Sequence, residues 1–243
     1  TLTLTADSDD DGAEDLSISA NVNGTTTTLR SGSAAGSGSD VSITAAVENT
    51  AGSVLVDRGT ALVLDANLTA DTAAGSDVTV SIPLNVDTNS VITAIDTITL
   101  SGITSAITGG ETLQLVGATV NLGQVDGSGG GLLGSLDIDS TNLAFTNGTV
   151  TTGGLIDLTG AGTITPGVSP VTLTSGGNNI NLTGASLLDG GATRIVTFAA
   201  GAGTIGLSTV TMNTAGSGIS FTSGGVGTVN GAISTDNGLV FTS

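Results

Sequence analysis

The chain has 243 residues, of which 38% are hydrophobic, and 21 acidic residues against three arginines give it a net charge of −18. This charge disfavours nucleic acid and anionic membrane surfaces, because both are bound through Lys and Arg. His, Cys, Lys, Trp and Tyr do not occur, which excludes Ser–His–Asp and Cys–His catalysis and the usual zinc ligands. No segment approaches the roughly 18 consecutive apolar residues of a membrane-spanning helix, so membrane insertion is not expected.

Up to residue 138 the chain alternates apolar residues with small polar ones in short runs. Alternation with a period of two indicates β-strands with one buried face. Clusters of Gly, Asn, Asp and Ser separate the runs, as turns require, and helical periodicity is not convincing anywhere. The apolar positions delimit strands at residues 2–4, 16–18, 41–43, 62–64, 78–80, 98–100, 113–115 and 136–138.

In the second half one phrase recurs, with an apolar residue, a small residue, a second apolar residue, and then Thr or Ala. Its copies begin at residues 143, 171, 196, 219 and 239, at intervals of 28, 25, 23 and 20. We predict that the residues at its third position form a core ladder in which like residues stack inside the coil. These residues, which include all four Phe of the chain, are Phe145, Leu173, Phe198, Phe221 and Phe241.

Strand units that recur at such intervals predict an all-β fold, a single-stranded parallel β-helix, or β-solenoid. We expect one continuous segment over residues 1–243. It is more acidic in residues 1–122, which hold 15 of the 21 acids, and carries the Phe-containing ladder in residues 143–243. The alternative is one or more antiparallel β-sandwiches, because dipeptides such as Asn147-Gly148 also suit hairpin turns. The shared phrase favours the solenoid, since sandwich strands do not require one.

Two stretches resemble a known group of proteins. The run Leu-Thr-Leu-Thr-Ala at residues 2–6, which precedes an Asp-rich turn, and the run Asn-Asn-Ile-Asn-Leu-Thr-Gly at residues 178–184 resemble the β-helical repeats of large bacterial surface and secreted proteins. Filamentous-haemagglutinin-type adhesins and autotransporter passenger domains are examples. The resemblance implies a right-handed β-helix outside the cell or at its surface, with an adhesive or structural role. It carries over no catalytic residue.

The sharpest local motif is the acidic run at residues 7–15. Acidic residues occupy positions 1, 3, 5 and 9 of a calcium-binding loop, and a glycine occupies position 6: Asp7, Asp9, Asp11, Asp15 and Gly12. Position 12 is Ile18 instead of an acid, and the residues around it alternate as in a strand, where a calcium-binding loop of this kind is followed by a helix. A Ca²⁺ site is therefore one expectation for this run, and a solvated acidic turn between two strands is the other.

A second acidic pair, Asp137 and Asp139, flanks Ile138, so both side chains are predicted to point outward. Paired carboxylates also serve glycosidases, which makes a polysaccharide-acting β-helix enzyme an alternative. Such an enzyme generally needs basic and aromatic side chains around the sugar, and this chain has three Arg and no Lys, Trp or Tyr. We therefore expect no catalytic residues, and interpret the two acids as exposed residues that keep a rod soluble.

Four Asn-x-Ser/Thr sequons are candidate glycosylation sites in a surface protein: Asn23, Asn67, Asn147 and Asn181.

The sequence thus favours a non-enzymatic extracellular structural protein. It would be a β-solenoid subunit of a fibre, sheath or surface appendage that self-associates end to end, since strand phrases at both ends of the sequence would present unpaired edges. The alternative is a stalk segment of a bacterial adhesin, which would belong to one longer chain of coils and would be monomeric by itself.

Overall fold

The computed structural model describes residues 1–6, 14–35, 39–49, 51–71, 73–106, 110–128 and 131–242. Strands make up 62% of the protein, and the described residues contain no helix. The strands are parallel and stack as a β-solenoid. The predicted solenoid is confirmed and the antiparallel sandwich is excluded, while right-handed coiling stays a prediction. No helix that could cross a membrane occurs among the described residues.

The described strands follow one another in chain order as Leu2–Ala6 (β1), Leu16–Ile18 (β2), Val22–Gly24 (β3), Thr27–Ala35 (β4), Val41–Ile43 (β5), Val47–Asn49 (β6), Val54–Gly59 (β7), Leu62–Leu64 (β8), Leu68–Ala70 (β9), Val78–Val80 (β10), Leu84–Val86 (β11), Ser90–Ala94 (β12), Thr97–Ala106 (β13), Thr112–Val125 (β14), Ser135–Phe145 (β15), Thr149–Thr152 (β16), Ile156–Asp157 (β17), Ala161–Pro166 (β18), Val171–Ser175 (β19), Ile180–Leu188 (β20), Ile195–Gly201 (β21), Ile205–Met212 (β22), Gly218–Ser223 (β23), Gly227–Val229 (β24), Ile233–Thr235 (β25) and Leu239–Thr242 (β26).

The strand pairings divide each turn of the solenoid into three faces. The first face contains β1, β4, β7, β10, β13, β14, β15, β18, β20, β22 and β25. The second face contains β2, β5, β8, β11, β13, β14, β16, β19, β21, β23 and β26. The third face contains β3, β6, β9, β12, β14, β15, β17, β20, β22 and β24. Long strands such as β14 continue around a corner and therefore contribute to more than one face.

Partners in neighbouring turns lie close to the predicted interval. Their separation ranges from 19 positions, between Leu84 and Ile103, to 28 positions, between Arg30 and Arg58. Every second residue of a strand points inward, so residues of one phase form a column through successive turns. One such column on the first face is fully buried and consists of Val54, Val78, Ile98, Val120 and Leu143. These columns together form one hydrophobic core.

The recurring phrase of the second half is distributed over two faces. Leu173, Phe198, Phe221 and Phe241 are successive partners on the second face. The rings of Phe198 and Phe221 stack there, with their centroids 5.6 Å apart and an angle of 17° between their planes. Phe145 is also buried, but it lies on the first face and outside this column.

The sequence interval explains the different position of Phe145. Its partners in the neighbouring turns are Leu122 and Pro166, and Pro166 follows it by only 21 positions. The interval to the next copy of the phrase is therefore longer than one turn. The additional residues carry the chain around a corner, so that the copy at Val171 begins on the second face.

Some corners bring neighbouring turns so close together that only glycine fits. A Cβ atom added to Gly123 would lie 1.9 Å from the carbonyl oxygen of Ser101, and one added to Gly203 would lie 2.0 Å from the carbonyl oxygen of Asn178. Both contacts are with backbone atoms, which cannot turn away as a side chain could. The stacking distance of the turns therefore depends on these glycines.

Candidate functional site

The predicted calcium loop lies mostly outside the described residues. Residues 7–13, and with them Asp7, Asp9 and Asp11, are not described, whereas Asp15 is. The Oδ1 atom of Asp15 accepts a hydrogen bond from the backbone N–H of Asp40 at 3.0 Å. Asp15 therefore links the first turn to the second, and Ca²⁺ binding by this run stays a prediction.

A third carboxylate, from the next turn, lies beside the outward acids of β15. Asp157 of β17 is the direct partner of Asp137 on the third face, and Asp139 follows two positions along β15. The Oδ2 atom of Asp139 accepts a hydrogen bond from Gln114 Nε2 at 2.9 Å, and Asp157 Oδ1 accepts one from the backbone N–H of Thr159 at 3.0 Å.

The electrostatics of this acidic row are repulsive. Partial burial raises the pKa of Asp137, and the charges of Asp139 and Asp157 raise it further. Within the part of the chain that the structure describes, no three carboxylates are arranged to hold a metal ion. Sequence spacing alone does not place Asp157 in this row, because Asp157 lies one turn after Asp137. The two residues become neighbours only through the register of the strands on the third face.

A groove of about 410 Å³ lies on the third face next to Asp157. The groove lies along a column of outward partners in successive turns, Asp157, Asn181, Gly206 and Thr228. It opens at Gly206 because glycine has no side chain to fill the surface there. The Oδ1 atom of Asn181 already accepts a hydrogen bond from the backbone N–H of Thr183 at 3.2 Å. The lining residues include no basic or aromatic side chain, the groups by which sugar-binding sites hold acidic or stacked pyranose rings.

Two other carboxylates tie neighbouring turns together. The guanidinium of Arg30 donates to both carboxylate oxygens of Asp57, at 2.7 and 2.8 Å, and this hydrogen bonding lowers the pKa of Asp57. Asp189, which is only 8% exposed, accepts backbone N–H groups of Thr214 at 2.7 Å and of Gly191 at 3.0 Å, and these bonds lower its pKa. Both acids are therefore stabilised in the ionised form by groups that only the folded chain brings together.

The sequon residues occupy the surface to different degrees. Asn23, Asn67 and Asn147 are exposed, whereas Asn181 is half-buried. The Oδ1 atom of Asn67 accepts the backbone N–H of Val91 at 2.9 Å, so this amide also connects two turns. Glycosylation at these four positions stays a prediction.

In the last described turn of the solenoid, an inward column that is buried in the preceding turns becomes partly exposed. Along one inward column of the third face, Leu182 is 2% exposed and Leu207 is 1% exposed, whereas Val229 of β24 is 39% exposed. Two further apolar residues of the last turn, Val226 and Val240, are 68% and 54% exposed, and Val240 is an outward residue whose partner is Ser220. The described residues provide partners for β24, β25 and β26 on one edge only.

The N-terminal end presents the opposite edge of the same kind of strand. The backbone N–H groups of Leu2, Leu16 and Val22 donate to carbonyl groups of the second turn at 2.7 to 3.1 Å. Backbone groups of successive strand residues point to opposite edges, so the N–H groups of Ser17 and Asn23 point away from the second turn. Among the described residues, β1, β2 and β3 are paired only on the side of the second turn.

The two ends are complementary in direction and polarity. Between turns inside the chain, an inward residue such as Ile219 donates its N–H to the following turn, and an outward residue such as Thr44 donates to the preceding one. At the C-terminal edge, the N–H groups of the inward residues Ile233 and Leu239 point away from the preceding turn. At the N-terminal edge, the N–H group of the outward residue Ser17 points away from the second turn. The first and last described turns therefore present the two complementary edges of the hydrogen-bonding pattern that joins neighbouring turns inside the chain.

Comparison with known proteins gives no relative for this chain: no family model, no curated protein and no solved structure matches it.

Proposed function

We propose that the protein is a non-enzymatic structural β-solenoid, located outside the cell or at its surface, that self-associates end to end into a fibre, sheath or surface appendage. The observation that carries this proposal is the complementarity between the outer edges of the first and last described turns. Each end presents a parallel strand edge and half-exposed apolar residues, such as Leu16 at one end and Val229 at the other. Such edges favour pairing with another strand, and a second copy supplies the edge that fits.

The size of the junction supports the same proposal. One turn of the solenoid contains between 19 and 28 residues, and a standard protein–protein interface involves about 20 to 30 residues on each side. A junction would also cover Val229 as Leu207 is covered inside the chain. End-to-end contact therefore provides both hydrogen bonds and apolar burial on the scale of a stable interface.

The composition supports a structural role over a catalytic one. The chain has no His, Cys, Lys, Trp or Tyr, the residues that most often supply bases, nucleophiles and sugar platforms. The net charge of −18 repels the sides of neighbouring rods, which limits lateral aggregation. We propose Ca²⁺ as a counter-ion of the acidic run at residues 7–15. Isothermal titration with CaCl₂ tests this part, and the expected heat of binding should disappear in an Asp9→Asn variant.

A substitution at the N-terminal edge tests end-to-end assembly. Ser17→Pro removes an N–H group that points away from the second turn, so it leaves the hydrogen bonds inside the chain intact and removes a donor needed at the junction. Ser17→Ala is the matched control, because it removes the hydroxyl group and keeps the N–H group. Sedimentation velocity over a range of concentrations should show oligomers for the natural chain and for Ser17→Ala, and mostly monomers for Ser17→Pro with unchanged circular dichroism.

A natural chain that stays monomeric at high concentration would overturn the proposal and favour the adhesin-stalk interpretation. Equal assembly of Ser17→Pro and Ser17→Ala would show that the junction does not use this edge.

A further inference from the structure

A second groove runs along the corner between the third and first faces, in the middle turns of the solenoid. It has a volume of about 500 Å³ and is lined by residues of five successive turns, from Asp71 to Gly160. These residues lie at the corners that follow β9, β12 and β17 and at the corners within β14 and β15. The corner groove is therefore parallel to the solenoid axis and lies away from the first and last described turns.

The floor of the corner groove is apolar. Gly117 and Gly160 contribute no side chains to it, which leaves room between the turns. Ile95 is 39% exposed, although it is a large apolar residue, and Val116 beside it is half-buried. A hydrocarbon chain in the groove would cover this apolar surface, and its removal from water is favourable.

Two carboxylates lie on the corner groove in different turns. Asp139 is the outward partner of Val116, which is the partner of Thr93, and Asp71 lies in the turn before that of Thr93. Since neighbouring turns are about 4.8 Å apart, the two acids are separated by roughly 14 Å along the axis. Asp71 is exposed, and Asp139 uses one carboxylate oxygen for its hydrogen bond from Gln114. The described residues that line the groove include no arginine.

Ser140 adds a polar group to the wall of the same groove. It is 7% exposed, and its hydroxyl group has no hydrogen-bond partner among the described residues. Buried hydroxyl groups normally have a partner, so one without a partner requires an explanation. An amine bound at Asp139 would bring N–H donors to the part of the groove that Ser140 lines.

We propose that the corner groove binds a linear polyamine, with one cationic amine at Asp71, another at Asp139, and the methylene chain between them over Ile95 and Val116. Lys side chains in proteins behave in the same way, because their methylene stems lie on apolar surface while the ammonium group stays in water. The net charge of −18 attracts such a ligand to the chain. This binding does not require end-to-end assembly, because the groove lies in the middle turns.

Calorimetric titration with two diamines of equal charge tests the span of the site. Decamethylenediamine, when extended, reaches about as far as the separation of the two carboxylates, whereas putrescine is too short. The natural chain should bind the long diamine about tenfold more tightly than the short one. This factor corresponds to one additional surface ion pair and a few covered methylene groups.

A pair of charge-neutralising substitutions tests the two carboxylates. Asp71→Asn with Asp139→Asn should reduce the affinity for the long diamine to about that for the short one, since Asn keeps the size of Asp and removes its charge. The matched control is Asp65→Asn with Asp87→Asn, which has the same net charge. These two acids lie at the corner between the second and third faces, so the control should keep the preference for the long diamine. Circular dichroism checks that both variants fold.

Contact with Ile95 locates the bound ligand. In a chain with isotope-labelled Ile methyl groups, the methylene protons of the long diamine should show cross-relaxation with the methyl groups of Ile95. The signal is assigned by its loss in Ile95→Val.

Three results would overturn the site. Equal affinities of the natural chain for the two diamines, or an equal loss of affinity in the two double variants, would show that amines are attracted only by the overall negative charge. Bound diamine without contact to Ile95 would show that it lies elsewhere. These results are distinguishable from a failure of end-to-end assembly, which sedimentation of the ligand-free chain measures.

Discussion

The stacked pair of Phe198 and Phe221 leads to a quantitative prediction about the core. Phe198 is fully buried, Phe221 is 4% exposed, and their rings lie 5.6 Å apart in neighbouring turns. Replacement of a buried Phe by Ala costs about 3 to 5 kcal/mol of the free energy of unfolding. About 0.5 to 1.5 kcal/mol of this cost should arise from the contact between the rings. Phe198→Ala and Phe221→Ala should therefore be less than additive by that amount.

A double-mutant cycle measures this coupling by urea denaturation of the natural chain, the two single variants and the double variant. The matched control is the cycle of Phe145→Ala with Phe198→Ala. Phe145 is buried to a similar extent but lies on another face, and residues without a shared contact are additive within about 0.3 to 0.5 kcal/mol. Equal coupling in the two cycles would refute the separation of Phe145 from the Phe198 column. Full additivity for Phe198 and Phe221 would refute their stacking.

Three further predictions concern stability. Gly123→Ala should lower the melting temperature strongly, because its Cβ would lie 1.9 Å from a backbone oxygen, whereas Gly227→Ala, with open space around its Cβ, should change it little in the same calorimetric scan. Asp137→Asn should raise the melting temperature at pH 7, because a raised pKa means that ionisation of Asp137 opposes folding, and this gain should vanish as the pH falls to about 4. Asp189→Asn should lower the melting temperature at pH 7, because the lowered pKa of Asp189 means that its ionised form stabilises the fold. This contribution is present above about pH 4 and is lost as the pH falls further. Equal effects of the two Asp substitutions at pH 7 would contradict the difference between their surroundings.

The sequence was sufficient for the architecture because a solenoid repeats its local pattern. Alternation of apolar and small polar residues located strands such as β5, β8 and β10, and the recurring interval between like phrases predicted parallel stacking. The repetition of Leu173, Phe198 and Phe221 at one phase was informative because like residues of successive turns meet in one column.

Features that depend on the register between turns could not be predicted. Phe145 carries the same local phrase as Phe198, but the length of the turn that follows it places it on the first face. Asp157 meets Asp137 only because the third face brings the two together from successive turns.

The most direct test of end-to-end assembly is cryo-electron microscopy of the purified chain at high concentration. We expect filaments as wide as one solenoid, with an axial spacing of about 4.8 Å between strands that continues without interruption through each junction. Separate short rods, or filaments in which rods associate side by side with their ends unpaired, would contradict it.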